Sequence, residues 1–400
     1  MTKHNILAVA AAGFLASTAL ATEPRTYGDI LDGINMFTPE PTDANSNNLH
    51  KSHAHMNSKL GTQWTVDMAY GYWHTNGAAL NNHNHYTLLH AQLNQRLIAD
   101  SVNGGTWLRA EVSGSWGLDK RSAASDKQYT DGIGEFTGIH ADIYGPHDFV
   151  IPELALMHYF NGKRACIIAG MVNLTNYFDA VGPANDSFHG FTNGGFVNST
   201  VLGLPDANLG AVVQFEIDQK SYAMAGFSRE TTSYGYNPFN DGSSYMLVAE
   251  YGRHIADGKG ILRLNPFFRQ VEEADKNRRN AGLAASIEYS VCDELTVFAR
   301  SGFGAKQDLG AAFDFSCGAA FHGIPGREDD FVGIAFGVFK GTNHAEEPTQ
   351  NNREFVTELM YSFQVNDWLK IVPHVQYIVN PAYSEESDAF AVGIQAVFSF

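Results

Sequence analysis

The chain has 400 residues, and its 43 acidic side chains against 26 Lys and Arg give a formal net charge of −17. That balance argues against a nucleic-acid partner, which calls for a basic surface. Past residue 21 no run of 18 apolar residues occurs, so spanning by helices is excluded. The 39 Gly, 27 Phe, 17 Tyr and 5 Trp fit a turn-rich all-β chain and neither a disordered one nor a coiled coil.

Lys3 and His4 precede an apolar core from Ile6 to Leu15, and Ala19-Leu20-Ala21 follows as a small-x-small cleavage site. This order predicts that residues 1–21 are a secretory signal peptide. Loss of Lys3 leaves a mature chain of charge −18. Residues 22–60 are polar, contain Pro24, Pro39 and Pro41, and lack periodicity, so they read as a periplasmic leader. His50, His53 and His55, with His74, His83 and His85 beyond, form a histidine-rich stretch. Such tracts can bind metal, but no Cys or acidic partner stands at ligand spacing. Neither a metal nor a cofactor is expected. Three cysteines (Cys166, Cys292 and Cys317) make no disulfide framework, and one bridge or free thiols both remain open.

From residue 63 onward the dominant signal is a period of two, which means strands. In 107–116, Leu108, Ala110, Val112 and Trp116 oppose Arg109, Glu111, Ser113 and Ser115. In 354–363, Phe355, Leu359, Tyr361 and Phe363 oppose Glu354, Glu358 and Ser362. Sixteen such segments are predicted: 63–73, 86–98, 106–117, 152–160, 163–172, 209–218, 221–229, 244–253, 260–271, 280–291, 294–303, 310–321, 330–339, 354–364, 367–379 and 388–400. Soluble strands usually run about five or six residues, whereas a tilted strand crossing a bilayer needs about nine to eleven. Short connections such as 161–163, 218–220 and 365–367 alternate with long ones at 118–151, 173–208, 230–243 and 340–353. Short periplasmic turns and long external loops belong to bacterial outer-membrane barrels.

The fold expected over 61–400 is therefore all-β: a transmembrane antiparallel up-and-down β-barrel of 16 strands with a water-filled lumen. Alternation alone does not separate it from an exported soluble sandwich. Strand length, export, loop asymmetry and the aromatic last strand decide together. Sixteen strands is the size at which a lumen stays aqueous.

Selectivity in such a channel comes from diameter, hydrogen-bonding groups and charges along the lining. Inward candidates by parity are Arg109, Glu111, Glu153, Arg164, Glu250, Arg263 and Arg269. Further along are Glu288, Arg300, Asp314, Glu354, Glu358, His374 and Gln376. The third external loop, 173–208, is expected to fold inward. Its Phe188, Phe191 and Phe196 would offer stacking faces, and its Asn185, Asp186, Asn193 and Asn198 hydrogen bonds; in the alternative reading these aromatics anchor the loop to the wall. Tyr70, Trp73, Trp116, Tyr251, Trp368 and Tyr377 are expected in the interfacial girdles.

Two stretches resemble a known family. The run Trp368-Leu369-Lys370-Ile371-Val372-Pro373-His374-Val375-Gln376-Tyr377-Ile378-Val379-Asn380-Pro381 is similar to the penultimate strand of the carbohydrate-selective (OprB-like) porins of Gram-negative outer membranes. Residues 170–205 resemble that family's long motif, with Asn176-Tyr177-Phe178-Asp179, Ala184-Asn185-Asp186, Phe196-Val197-Asn198 and Leu204-Pro205. One departure is Gly170-Met171, where the family usually has Gly-Lys; no role for that lysine carries over. The resemblance implies passive diffusion of small sugars across the outer membrane, in contact with its lipid and lipopolysaccharide. The C-terminal Phe398 and Phe400 are similar to the signal read by the barrel-assembly machinery. Monomer and homotrimer both stay open. The runner-up reading is a general, weakly cation-preferring diffusion porin. No G-x-S-x-G, H-E-x-x-H or P-loop occurs, so an enzyme is not expected.

Overall fold

The computed structural model describes residues 23–25, 54–57, 62–76, 83–99, 105–117, 137–141, 147–160, 164–205, 207–230, 244–273, 276–305, 311–341, 353–381 and 388–400. The expected signal peptide, most of the leader with His50 and His53, and parts of the long external connections lie outside them.

The strands in chain order are β1 (Glu23–Arg25), β2 (Ala54–Asn57), β3 (Thr62–Asn76), β4 (His83–Ile98), β5 (Thr106–Gly117), β6 (His147–Phe160), β7 (Ala165–Val172), β8 (Asn208–Asp218) and β9 (Ser221–Arg229). Then follow β10 (Tyr245–Ile255), β11 (Gly260–Glu273), β12 (Lys276–Cys292), β13 (Leu295–Gly304), β14 (Ala311–Ile324), β15 (Arg327–Gly341), β16 (Glu354–Asn366), β17 (Leu369–Val379) and β18 (Asp388–Ser399). From β3 to β18 each strand pairs antiparallel with the next, and β18 pairs with β3 from Phe390↔Asn76 to Ser399↔Asp67. The result is a closed 16-stranded barrel. Closure leaves no strand edge unpaired, which a bilayer requires. The last residue completes the seam: Phe400 N–H donates to Val66 O at 2.9 Å, and Val66 N–H to Phe400 O at 3.1 Å.

All sixteen expected strands are present, with shifted ends. The fourth begins at His147 instead of 152, because Trp116 and Ser115 of β5 extend the ladder to His147 and Asp148. Two short leader strands join the sheet: β1 pairs with β2, and β2 with the start of β3.

The period of two reads directly as inside and outside. On β16, Glu354, Val356, Glu358 and Met360 are buried, while Phe355 and Leu359 are exposed. Large apolar side chains stay exposed all round the barrel, among them Leu156, Phe215, Leu283, Phe315, Phe336 and Ile394. A soluble protein would bury such rows. Exposed apolar rows of this kind are what the lipid-facing wall of a transmembrane barrel carries. Glycines fit where the backbone is approached closely. Gly170 has φ 144°, and a Cβ there would lie 2.5 Å from Leu154 O. Trp73 corrects the girdle assignment. It points inward, is 1% exposed, and lies over Gly393, where a Cβ would stand 2.5 Å from the indole.

Candidate functional site

The lumen is not an open cylinder. The 173–207 connection between β7 and β8 enters it, crosses to the far wall and returns. Its route follows from where its backbone hydrogen bonds go. It begins with a short turn, Leu174–Asn176, capped by Asn173, whose side chain accepts from Thr175 N. Asn176 Nδ2 donates to Glu111 at 2.6 Å and to Glu153 at 2.9 Å, and the Tyr177 hydroxyl donates to Glu153. Arg109 faces Glu153 at 3.0 Å. Further on, Asp179 N–H donates to Glu250 at 3.0 Å, and Gly182 N–H to Glu288 at 2.9 Å.

On the opposite wall, Gln395 Nε2 donates to the carbonyls of Ser187 and Phe188. His189 lies 3.1 Å from Ser399 Oγ and 2.9 Å from Asp186. Glu358 accepts from the backbone of Thr192 and Asn193, from the Thr192 hydroxyl, and sits 3.0 Å from His374. Gln376 bonds both Asn193 and Thr192. A four-residue helix, α1 (Gly194–Val197), capped by Asn193, turns the chain back. Arg300 holds its carbonyls at Phe196 (2.7 Å) and Val197 (3.4 Å). Asp314 then accepts from Ser199, Thr200 and the Val201 N–H.

A second segment, 137–141 of the β5–β6 connection, also enters. Thr137 donates its N–H and its hydroxyl to Glu354, at 3.2 and 2.8 Å. Ile139 O accepts from Gln376, and His140 meets Gln395 at 3.4 Å. Two backbone bonds join this segment to the first loop, Ala141 N–H to Thr192 O and Gly194 N–H to Gly138 O. Nothing in the period of two marked 137–141.

The expected lining residues therefore divide. Glu111, Glu153, Glu250, Asp314, Glu354, Glu358, Gln376 and Arg300 are buried with polar atoms bonded to the loops, and His374 is buried against the wall carboxylate of Glu358. Phe191 stacks near Phe196 and Phe298, at 5.8 and 6.0 Å, and Phe196 against Phe339. Phe188 is buried beside His90. These rings fasten the loop to the wall. Asn193 is buried as a cap.

What remains partly accessible is the loop edge at Asn185, Asp186 and Asn198, where Asn198 Nδ2 donates to Asn185 Oδ1 at 3.3 Å. On the wall, the partly accessible groups include the Arg269–Glu230 pair, Glu288, which is 3.2 Å from the buried Arg263, and His90 beside the buried Glu111. Arg164 lies apart. It stands before β7 on the turn, exposed, paired with Glu216 at 3.0 Å. Among the described residues no group of three or more His, Cys, Asp or Glu could hold a metal ion. The three cysteines are unbridged.

Burial sets the charge state of the loop groups. It raises the Asp179 carboxyl above its usual range, against the pull of Arg300. It lowers the His140 imidazole to about 3, so His140 is neutral in its docked position.

Residues 265–400 match the family described as carbohydrate-selective porin, OprB family. Over those residues the chain is similar to that family. The high-pH structure of OprB from Pseudomonas putida is similar with a TM-score of 0.71 at 15% identity, over 86% of this chain and 95% of that one. The outer-membrane channel DcaP of Acinetobacter baumannii is similar at 0.55 and 11% identity, over 85% and 97%. OmpT of Vibrio cholerae in its trimer form is similar at 0.53 and 10% identity, over 85% and 99%. No curated protein matches the sequence. The similar structures share its barrel fold.

Proposed function

We propose that this barrel sits in the outer membrane and lets mono- and small oligosaccharides diffuse passively through a lumen narrowed by its inward-folded loops. One observation carries the reading: the passage edge offers neutral amides and charges already matched in pairs. Asn185 and Asn198 present donors and acceptors without net charge, and the half-buried Arg269–Glu230 pair presents both signs together. Hydroxyl-rich neutral solutes are served by such a lining. The family matched by residues 265–400 supports the substrate class. A general cation-preferring pore is less favoured, because the buried carboxylates of the wall are taken up by loop donors and no longer line the path.

In this reading residues 1–21 direct export and are cleaved, and residues 22–60 stay in the periplasm. Phe398 and Phe400 engage the assembly machinery, lipopolysaccharide surrounds the external rim, and the barrel forms a homotrimer like the similar OmpT structure. The test is single-channel current in planar bilayers. Stepwise block by added glucose or a maltooligosaccharide is expected. An ohmic current indifferent to both overturns the sugar assignment and leaves the general pore.

A further inference from the structure

Arg300 stands in a concentration of buried acid. It is 1% exposed on β13, and its Nε donates to Asp179 Oδ1 at 2.9 Å. Its remaining nitrogens reach only carbonyls, those of Asp179, Phe196 and Val197. Asp179 is 0% exposed, and Glu250 on β10 and Asp314 on β14 are both 2% exposed. Each carboxylate holds a different part of the loop. Glu250 takes the Asp179 N–H, Asp314 takes Ser199 and Val201, and Asp179 Oδ2 takes the Ser199 N–H at 2.7 Å. Asp179 thus ties the outgoing limb of the loop to its returning limb. It does so at φ 58°, a left-handed conformation that a non-glycine residue holds only when its surroundings demand it.

Around Asp179 stand Arg300, Glu250 and Asp314. Glu250 also receives Tyr222 and Asn265, and Arg263 lies close enough to feel its charge. Among the described residues Arg300 is the one cation in direct contact with Asp179. Like charges gathered out of water repel strongly unless a partner intervenes.

We infer that Arg300 is a positioning residue for selectivity: it neutralises the Asp179–Glu250–Asp314 cluster and thereby keeps the constriction loop inside the lumen. The loop would otherwise be driven out by repulsion, not merely loosened. This rests on the barrel being an open channel, and it deepens the proposed function without depending on which solute passes.

The test compares wild type, Arg300→Met, Asp179→Asn and the double variant by single-channel conductance in potassium chloride. Arg300→Met is expected to raise conductance about two-fold or more, because the loop sets the bore. Its conductance should fall back toward wild type as the bath is acidified, because burial raises the proton affinity of the Asp179 carboxyl and protonation removes its charge. Asp179→Asn should change conductance less than Arg300→Met. The double variant should lie below Arg300→Met, since removing one acid relieves the repulsion. A purely structural role predicts the reverse: no recovery in acid, and a double variant at least as wide as the single. Either of those results overturns the inference. Arg300→Met with wild-type conductance overturns it too, once near-wild-type thermal unfolding shows that the barrel is intact. If Arg300→Met does not fold, the Asp179→Asn/Arg300→Met and Arg300→Lys pair decides: narrow pores in both support it, and wide pores in both overturn it. Absence of any channel current from wild type would instead count against the channel reading itself.

Discussion

Glu358 Oε1 accepts both the backbone N–H and the hydroxyl of Thr192, each at 2.9 Å, so a single wall carboxylate grips one loop residue at two points. Its other oxygen takes the Asn193 N–H at 3.0 Å. Glu358→Ala would leave these buried donors unmatched, at about 1–3 kcal/mol for each group left so. The far end of the loop should leave the wall. A rise in conductance for Glu358→Ala, with a smaller rise for Glu358→Gln, is the expected result.

His140 gives the second loop a pH dependence whose sign is fixed. Its docked pKa is about 3, below the free value of 6.5. Released segments bind a proton as pH falls below 6.5 and the docked segment does not. Docking is therefore undiminished above that value and weakens as pH drops toward 3, by about 1.4 kcal/mol per pH unit at most. The protection factor of the Ala141 amide, which donates to Thr192 O, should fall across this window once the intrinsic exchange rate at each pH is divided out, and His140→Gln should flatten the effect.

The half-buried amides at the loop edge should act on solutes rather than on the fold. Asn198→Ala removes the 3.3 Å bond to Asn185 and one donor facing the passage. One hydrogen bond of about 0.5–1.5 kcal/mol corresponds to roughly 2–10-fold weaker sugar block. Thermal stability of the barrel should stay near wild type.

Much of this was legible in the sequence, for a physical reason. Alternation is a property of each strand alone, so Glu354 and Glu358 could be assigned inward against Phe355 and Leu359 without knowing any neighbour. Parity gives the face of a residue and neither its height nor what covers it. Arg164 shares its parity with buried Cys166 and still ends on an exposed turn. Trp73 looked like a girdle residue because it is aromatic and near a strand end, yet odd positions of β3 face the lumen and Gly393 leaves space for the ring. Thr137–Ala141 carries no periodic signal, since its conformation is dictated by Glu354, Gln376 and Gln395, more than 200 residues away. Asp179 lay inside the recognised motif, but its link to Arg300 spans 121 positions.

The lipid-facing rows make a stability prediction that the lumen does not share. Leu283, midway along β12, is exposed on the outer face. Leu283→Arg should destabilise the barrel by about 2–4 kcal/mol in a bilayer, the range for a cation at mid-membrane. Unfolding in lipid vesicles with urea measures it.

The barrel is hollow and narrowed by two fastened loops. Liposome swelling with sugars of graded size tests it most directly. Vesicles carrying the protein should swell quickly in monosaccharides, more slowly in small oligosaccharides, and not in large ones, with the cut-off moving upward in Glu358→Ala. Vesicles that fail to swell in any sugar, or that swell equally in all sizes, would contradict it.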